Sequence, residues 1–382
     1  MKKIVRKTRN VLFIVMYYCF CILPLRKEKI LFTSESREEI SGNLKYIYTA
    51  LEKKSSNLNL VIRVRDKKKT KPSIFQFANL AFHCATSSFI IIDDFYPILY
   101  KLKIRKKANF MQVWHAVGAF KQFGYARVGL PGGPKEDSIN HRNYTQVIIS
   151  SANIVDIYAK SFGVNPRIVL PLGVARTDFF FNPIEIKKMK TKFYEKYPKL
   201  KDKKIVMFAP TFRGNGQMTA YYPQEWIDLN FVYEKIKDTN YIFALKFHPY
   251  VKDKIEIPEH MRESIIDFSE YREINDLLIV SERLITDYSS SIFEYSLMGR
   301  KMLFYVPDLD EYTRDRSFYF EYEKFVPGNI HFDFEKLVTD ALDEDFNVNK
   351  IFEFRNKFFE YQDGKSSERI SNYILENKRR SI

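Results

Sequence analysis

Short apolar runs recur along this chain, with segments of helical periodicity between them. Ile30–Thr33, Leu60–Val64, Phe89–Ile92, Phe110–Trp114, Val147–Ser150 and Ile168–Leu170 read as strands, and Asn43–Leu51, Phe75–Cys84 and Ile154–Phe162 read as helices. Such strand–helix alternation implies a parallel sheet with helices on both faces. The pattern pauses at Pro171–Asp178, a linker, and at a charged helix, Ile184–Tyr197. It then resumes with strands at Ile205–Ala209, Tyr241–Phe247, Ile265–Ile266, Leu284–Ile285 and Leu303–Val306, and a helix at Ile274–Ile279. The last part is helical, at Phe334–Leu342, Ile351–Tyr361 and Ser367–Asn377. A length of 382 residues favours two domains, and a hydrophobic content of 45% is enough for proper cores. The expected division is an N-terminal segment 1–28, a first Rossmann-like domain 29–175, a second 176–348, and C-terminal helices 349–382.

In open parallel sheets, ligands sit beyond the carboxyl ends of the strands, so the residues that follow the runs carry the functional argument. The densest such place is Arg283–Phe304. Leu284 and Ile285 end a strand, Thr286 and Asp287 stand where it stops, and Ser289, Ser290 and Ser291 follow. From Ile292 the apolar residues have helical spacing, with Gly299 as a stop. A strand end, three hydroxyls and a helix start form either an anion site or an ordinary serine-capped corner. His115 follows the strand Met111–Trp114 directly and enters a glycine-containing turn. With an ordinary pKa near ~6.5 it can take a proton at neutral pH, although a lone histidine is more often structural. The polar segment 127–144 beside it, with Pro131, Gly132, Gly133 and Pro134, reads as a mobile lid over an acceptor. After Ala209, the loop Pro210–Gly216 carries Thr211 and Arg213 and suits a phosphate or is a plain surface loop. The strand Tyr241–Phe247 delivers His248.

The N-terminus is basic at Lys2, Lys3, Arg6, Lys7 and Arg9, and then apolar from Val11 to Leu25. No small-residue cleavage site follows, and the run is short for a spanning helix. It reads as a shallow membrane anchor or as the first buried helix of the domain. A second basic run, Lys101, Lys103, Arg105, Lys106 and Lys107, interleaves with Tyr100, Leu102 and Ile104. It is either a solvated face or a surface that rests on anionic lipid. Net charge is +15, from 62 basic and 47 acidic side chains, which suits a polyanionic partner. No nucleic-acid recognition module is visible. Three cysteines without metal spacing fit a reducing compartment. Gly364, Lys365 and Ser366 do not make a P-loop, because Phe359 occupies the place of its first glycine and no strand precedes.

Taken in order, several of these pieces resemble the CDP-glycerol glycerophosphotransferases, which build teichoic acids and some capsules. The matching pieces are Gly42–Tyr46, Gln112–His115 with Gly118–Gly124, Gly173–Asp178, Ala209–Arg213, Lys246–Pro249, Thr286–Ser290, Arg316–Phe320 with Pro327–Gly328, and Asp363–Arg369. They cover nearly the whole chain. Two positions depart from the family pattern: Ala116 replaces a glycine, as in members that resemble ribitol-phosphate transferases, and Ser317 stands at a usual glycine. The resemblance implies a GT-B-like fold, two Rossmann-like domains facing across a cleft, with the C-terminal helices packing back toward the first. It implies transfer of a polyol phosphate, glycerol phosphate first, from CDP-glycerol or CDP-ribitol to the hydroxyl of a lipid-linked glycan or polyol-phosphate acceptor, with CMP leaving. His115 would be the base. His248, Arg316, Ser289 and Ser290 would hold the pyrophosphate, with backbone donors at Ser291. Thr211 and Arg213 would line the same pocket, Asp287 would orient His248 or the serines, and Glu294 would contact the ribose. No metal is required, and Mg²⁺ is compatible. The expected place of work is the cytoplasmic face of the bacterial membrane, on its anionic surface and without nucleic acid. The long N-terminal region of polymerase members is not in the sequence, which favours a primer enzyme. The rival readings are a ribitol-phosphate transferase, a sugar-nucleotide glycosyltransferase of the same architecture, and a non-catalytic polyanion-binding membrane protein.

Overall fold

The computed structural model describes residues 2–64, 73–214 and 216–380, with side chains from Thr8 to Asn377 within these. The basic side chains of Lys2, Lys3, Arg6 and Lys7, and Asn215, lie outside the described residues. The chain divides into two units: unit 1 is Met1–Asp178 with Phe359–Ile382, and unit 2 is Phe179–Phe358. The expected 349–382 segment is therefore shared between the units, and the first 28 residues belong to unit 1.

Unit 1 runs α1 (Lys2–Phe20), β1 (Arg26–Ser34), α2 (Gly42–Lys54), β2 (Asn59–Val64), α3 (Ile74–Thr86), β3 (Ser87–Ile92), β4 (Asn109–Gln112), β5 (Gln146–Ile148), α4 (Val155–Phe162) and β6 (Val169–Leu170). Its six strands lie in the order β2-β1-β3-β4-β5-β6, all parallel. Every residue of β3 is buried, as a central strand covered on both faces requires. The strand order reverses between β1 and β3. The core joins Ile30, Phe32, Leu44, Phe89 and Met111 to Ile370 and Ile374 from the far end of the chain.

α1 settles between the two expectations for the N-terminus. One face packs on α3: Phe13 and Tyr17 are buried, Phe13 meets Phe77 edge-on at 6.0 Å, and the Tyr17 hydroxyl donates to the Lys103 carbonyl at 3.1 Å. Burying two such rings is worth roughly 2–3 kcal/mol each. The opposite face is apolar and open, with Val11, Val15 and Tyr18 about half exposed (53%, 50% and 48%). No described helix is long and apolar enough to cross a membrane.

Unit 2 runs α5 (Pro183–Lys196), β7 (Lys204–Phe208), α6 (Leu229–Ile236), β8 (Tyr241–Leu245), β9 (Ile265–Asp267), α7 (Ile274–Val280), β10 (Ser281–Thr286), α8 (Ser291–Ser296), β11 (Met302–Tyr305), α9 (Leu309–Arg316), α10 (Tyr322–Phe325), β12 (Asn329–His331), α11 (Phe334–Leu342) and α12 (Val348–Phe358). Its sheet is parallel in the order β12-β11-β10-β7-β8-β9. Numbered within the unit, this is the 3-2-1-4-5-6 order of a dinucleotide-binding sheet, reversing between β7 and β10. The register Leu284↔Met207 and Leu284↔Met302 centres β10 between two buried neighbours. α6, α9, α10 and β12 are additional to the sequence reading. β12 has only three residues, too few for a periodic signal.

The last helix, α13 (Ser366–Arg380), returns to unit 1. The Asp178 carboxylate accepts the Ser366 and Ser367 backbone N–H groups, both at 2.8 Å, and so caps the first turn of α13 from the end of the linker.

Candidate active site

Unit 1 places its chemistry just beyond β3 and β4. β4 stops at Gln112, and the chain turns at Trp114 with φ +44°. A bulky L-residue in this left-handed region costs roughly 1–3 kcal/mol, so the surroundings must hold it there. Gln112 Oε1 accepts from the Trp114 N–H at 2.8 Å, and Gln112 Nε2 donates to the Asp94 carbonyl at 3.0 Å. Asn43, buried in the first turn of α2, donates to the Val113 and Trp114 carbonyls at 3.1 and 2.6 Å and accepts from the Arg176 N–H at 2.9 Å. The Arg176 guanidinium donates to the His115 carbonyl. Asn43, Gln112 and Arg176 lay in the family-like stretches without a role; the structure shows all three fastening the His115 turn.

His115 Nδ1 is 3.2 Å from the Asp93 carbonyl oxygen. A carbonyl only accepts, so Nδ1 carries the hydrogen and Nε2 keeps its lone pair. The residue is exposed, with its ring 4.3 Å from that of Trp114. Burial of its inner side lowers the imidazole pKa below 6.5; Arg176 lowers it further, and the bond to Asp93 opposes them. The ring is therefore a neutral base at pH 7. The Asp93 carboxyl is fully buried and takes Arg37 Nε at 2.6 Å. Burial raises its pKa to about 6 against the pull of Arg37. Asp94 Oδ2 accepts Ser34 Oγ and the Glu35 and Ser36 N–H groups at 2.8, 2.8 and 2.7 Å, which shapes the loop after β1. At Gly42 any Cβ would stand 2.7 Å from the Arg37 guanidinium.

The segment 127–144, expected to be loose, is tied down. The Tyr125 hydroxyl donates to the Ser138 and Asn140 carbonyls, and Arg142 Nε donates to that hydroxyl at 2.9 Å. His141 is buried with its Nδ1 2.8 Å from the Tyr144 hydroxyl.

Unit 2 gathers its candidates at the reversal between β7 and β10. Asp287 Oδ1 accepts the Thr211 N–H at 2.8 Å, Thr211 Oγ1 at 3.0 Å and the Tyr288 N–H at 2.5 Å. Asp287 was expected to orient His248 or the serines; it organises the Thr211 loop instead. Arg213 was expected to line the phosphate pocket. Its guanidinium is committed elsewhere: Nη1 to Asp287 Oδ2 at 2.8 Å, and Nε and Nη2 to Asp308 at 2.6 and 2.9 Å. Tyr222, Trp226, Tyr288 and Tyr312 enclose it at 5.1–5.5 Å. Burial alone would lower the Arg213 pKa, but the two carboxylates outweigh it and hold the charge firmly. Asp308 was missed, although it too follows a strand.

The serines are arranged differently from a simple cap. Ser290 precedes α8 and makes no side-chain cap bond. Ser289 Oγ accepts the Ser291 N–H at 3.2 Å and lies 2.9 Å from Ser291 Oγ. α8 ends at Ser296, and the chain continues in tighter turns, with the N–H groups of Leu297, Met298 and Gly299 bonded three residues back. Gly299 has φ +64°, as the expected stop requires. Ser290 is exposed, Ser289 half-buried, and Ser291 and Glu294 buried, Glu294 at 3% exposure. Arg316 ends α9 and donates to the Gly214 carbonyl at 2.8 Å, which brings it to the Thr211 loop. His248 follows β8, with its ring 4.9 Å from Phe212. Its Nδ1 accepts the Tyr250 N–H at 3.1 Å, so Nε2 carries the hydrogen. The structure thus brings Thr211, Asp287, Ser289, Ser291 and Arg316 to one sheet edge with His248 beside them. Among the described residues, no group of His, Cys, Asp and Glu could hold a metal ion.

Two parallel α/β units with polar side chains clustered at strand ends define a protein of the GT-B-like class. The solved structure of the wall teichoic acid polymerase TagF has the same fold: TM-score 0.80 at 22% identity, over 99% of this chain and 96% of that one. The chain belongs to the CDP-Glycerol:Poly(glycerophosphate) glycerophosphotransferase family, which it matches over residues 15–376. It is 46% identical over 373 residues to the teichoic acid poly(ribitol-phosphate) polymerase of Bacillus spizizenii, across 98% of this chain and 60% of that protein. The chain thus spans about 60% of that relative's length. To the teichoic acid glycerol-phosphate primase of Bacillus subtilis it is 32% identical over 295 residues, across 75% of this chain and 73% of that protein.

Proposed function

We propose that the chain transfers a polyol phosphate, ribitol phosphate in first place, from a CDP-polyol to the hydroxyl of a lipid-linked acceptor, releasing CMP. The observation that carries this is the pair of histidines held in opposite tautomers. His115 keeps its lone pair on Nε2 and suits proton removal; His248 keeps a hydrogen on Nε2 and suits donation to a phosphate oxygen. In this reading unit 1 supplies the base and unit 2 the donor site. The acceptor oxygen bonds to the phosphorus that bears the polyol as its proton passes to His115. The bond from that phosphorus to the bridging oxygen breaks, and CMP leaves with the electron pair. His248, Ser289, Ser290 and Arg316 meet the growing charge. Hydroxyls and cations do most of this, because a six-residue α8 has little dipole. Thr211 keeps the loop in place, and Arg213 acts only through that loop.

The sequence reading put glycerol phosphate first. Identities of 46% to a ribitol-phosphate enzyme and 32% to a glycerol-phosphate enzyme move the choice to ribitol. With purified protein and a lipid-linked acceptor, CMP release from CDP-ribitol should exceed that from CDP-glycerol by at least about tenfold in kcat/KM. Turnover of a UDP-sugar with neither CDP-polyol consumed would establish the glycosyltransferase instead.

The same reading puts the chain on the cytoplasmic face of the bacterial membrane. The open strip Val11, Val15 and Tyr18 supports it, as do the exposed Lys101, Lys103, Lys106 and Lys107. Arg105 joins the two features by donating to the Leu23 carbonyl at 2.8 Å. Flotation with phosphatidylglycerol vesicles should succeed at low salt and fail for Val11→Asp/Val15→Asp, with each basic residue adding about 1 kcal/mol. Equal flotation of the variant would remove α1 from the membrane contact.

A further inference from the structure

Unit 1 contains a cavity of about 850 Å³ that the transfer chemistry above leaves unused. It lies where the strand order of the sheet reverses: Glu35, just past β1, forms one wall, and Phe95 to Ile98, just past β3, form another. In parallel sheets this is where ligands bind. Arg9 and Asn10 of α1, and Phe75, Phe77 and Leu80 of α3, complete it.

The lining has two chemistries. One is aromatic and aliphatic, from α3 and from Phe95 to Ile98. The other is cationic: Arg9, Arg63 and Lys101 against a single carboxylate, Glu35. None of the three cations has a carboxylate partner among the described residues. Arg63 meets Asn79 Oδ1 and the Ile62 carbonyl, and its Nη2 is 3.1 Å from His83 Nε2. Burial first, then Lys29 and Arg63, push His83 down to about 4, so it stays neutral and offers no counter-charge. Arg9 lies over the Phe77 ring at 5.0 Å, and its buried Nε has no hydrogen-bond partner among the described residues. Arg9 is half-buried and Arg63 and Lys101 are exposed, and three cations around one carboxylate favour an anion.

The two ends of the cavity differ. The outer lip is apolar and open, with Phe75 80% and its neighbour Ile74 56% exposed. The inner wall begins at Phe95, two residues past the Asp93 whose carbonyl holds His115. The Phe95 ring lies 5.3 Å from that of His141, which in turn is 6.2 Å from Trp114.

We infer that this cavity binds an amphipathic phosphate, a phosphate ester with its charge among Arg9, Arg63 and Lys101 and its hydrocarbon tail leaving over Phe75 and α1. This rests on the reading that the acceptor is lipid-linked, and it assigns the cavity to the membrane-borne end of that acceptor rather than to the reacting hydroxyl. Dodecyl phosphate below its micelle concentration is the probe, titrated calorimetrically into the full chain. Glycerol 3-phosphate supplies the charge without the tail, dodecyl maltoside the tail without the charge, and phosphatidylglycerol vesicles the headgroup at a surface. The expected result is saturable binding of one dodecyl phosphate per chain, weakened about tenfold or more in Arg63→Gln/Lys101→Gln. A second variant, Asn79→Phe, adds bulk without changing charge and should weaken it similarly; melting curves report whether each variant folds. Equal binding of glycerol 3-phosphate or dodecyl maltoside, unchanged binding in both variants, or binding to vesicles alone overturns the proposal. The assay needs no turnover. Probe binding by a chain that releases CMP from no donor keeps the cavity and removes the transferase reading, and turnover without probe binding does the reverse.

Discussion

His115→Ala lowers kcat by about 10²–10⁴-fold while the CDP-polyol still binds. The magnitude follows from losing a positioned base. The selectivity follows because His115 belongs to unit 1 and the residues assigned to the donor phosphate belong to unit 2. His115→Gln should lose as much, since glutamine keeps a polar side chain but cannot take a proton. The pH profile carries the same signature. Burial and Arg176 hold the imidazole pKa below 6.5, so the active, neutral form dominates at pH 7. kcat/KM should rise with pH through an apparent pKa below 6.5 and then level off, and the limb should vanish in both variants. Donor affinity measured by equilibrium titration separates this from misfolding. A variant with wild-type kcat would end the assignment of His115 as base.

Arg213→Ala should cost about 3–5 kcal/mol of stability, because it strands the buried Asp287 carboxylate and leaves the half-buried Asp308 without its partner. The Asp287 side chain is 0% exposed and that of Asp308 11%, so Asp287 cannot recover its hydration and Asp308 recovers it only in part. The four surrounding rings lose their cation as well. The unfolding temperature should fall by roughly 6–20 °C. Arg213→Lys should not restore it, since an ammonium cannot span both carboxylates as the planar fork does. Arg213→Met with Asp287→Asn and Asp308→Asn should recover part of the loss, because no unpaired charge is left behind. Melting of Arg213→Ala within about 2 °C of the parent would show that the knot is not under this load.

Both sheets were legible because most of their strands are strongly apolar, and several, such as β1, β4, β9 and β10, end in a polar residue. β3, buried at every position, is the clearest case. Length defeated β12 and α10, which have three and four residues, too few to show a period; α6 and α9, of eight residues each, were missed as well. At the site, position relative to a strand end was readable and partnership was not. His115 and His248 stand where strand ends put them, but their tautomers depend on the Asp93 carbonyl and the Tyr250 N–H, which no side-chain pattern reveals. Arg213 looked like a phosphate ligand because its loop has glycines; Asp308, 95 positions away, decides otherwise. The departure at Ser317 has a backbone meaning. Its φ of +57° and ψ of 139° lie in territory suited to glycine, so Ser317→Gly should relieve strain there.

The return of α13 to unit 1 bears on how this protein is born. Ile370 and Ile374 are wholly buried in the core of the first sheet, yet they leave the ribosome after all of unit 2. Unit 2 is one continuous stretch and can finish folding during translation, while unit 1 waits for the final helix to seal it. A nascent chain released before α13 is made would carry a finished unit 2 and an open, chaperone-binding unit 1.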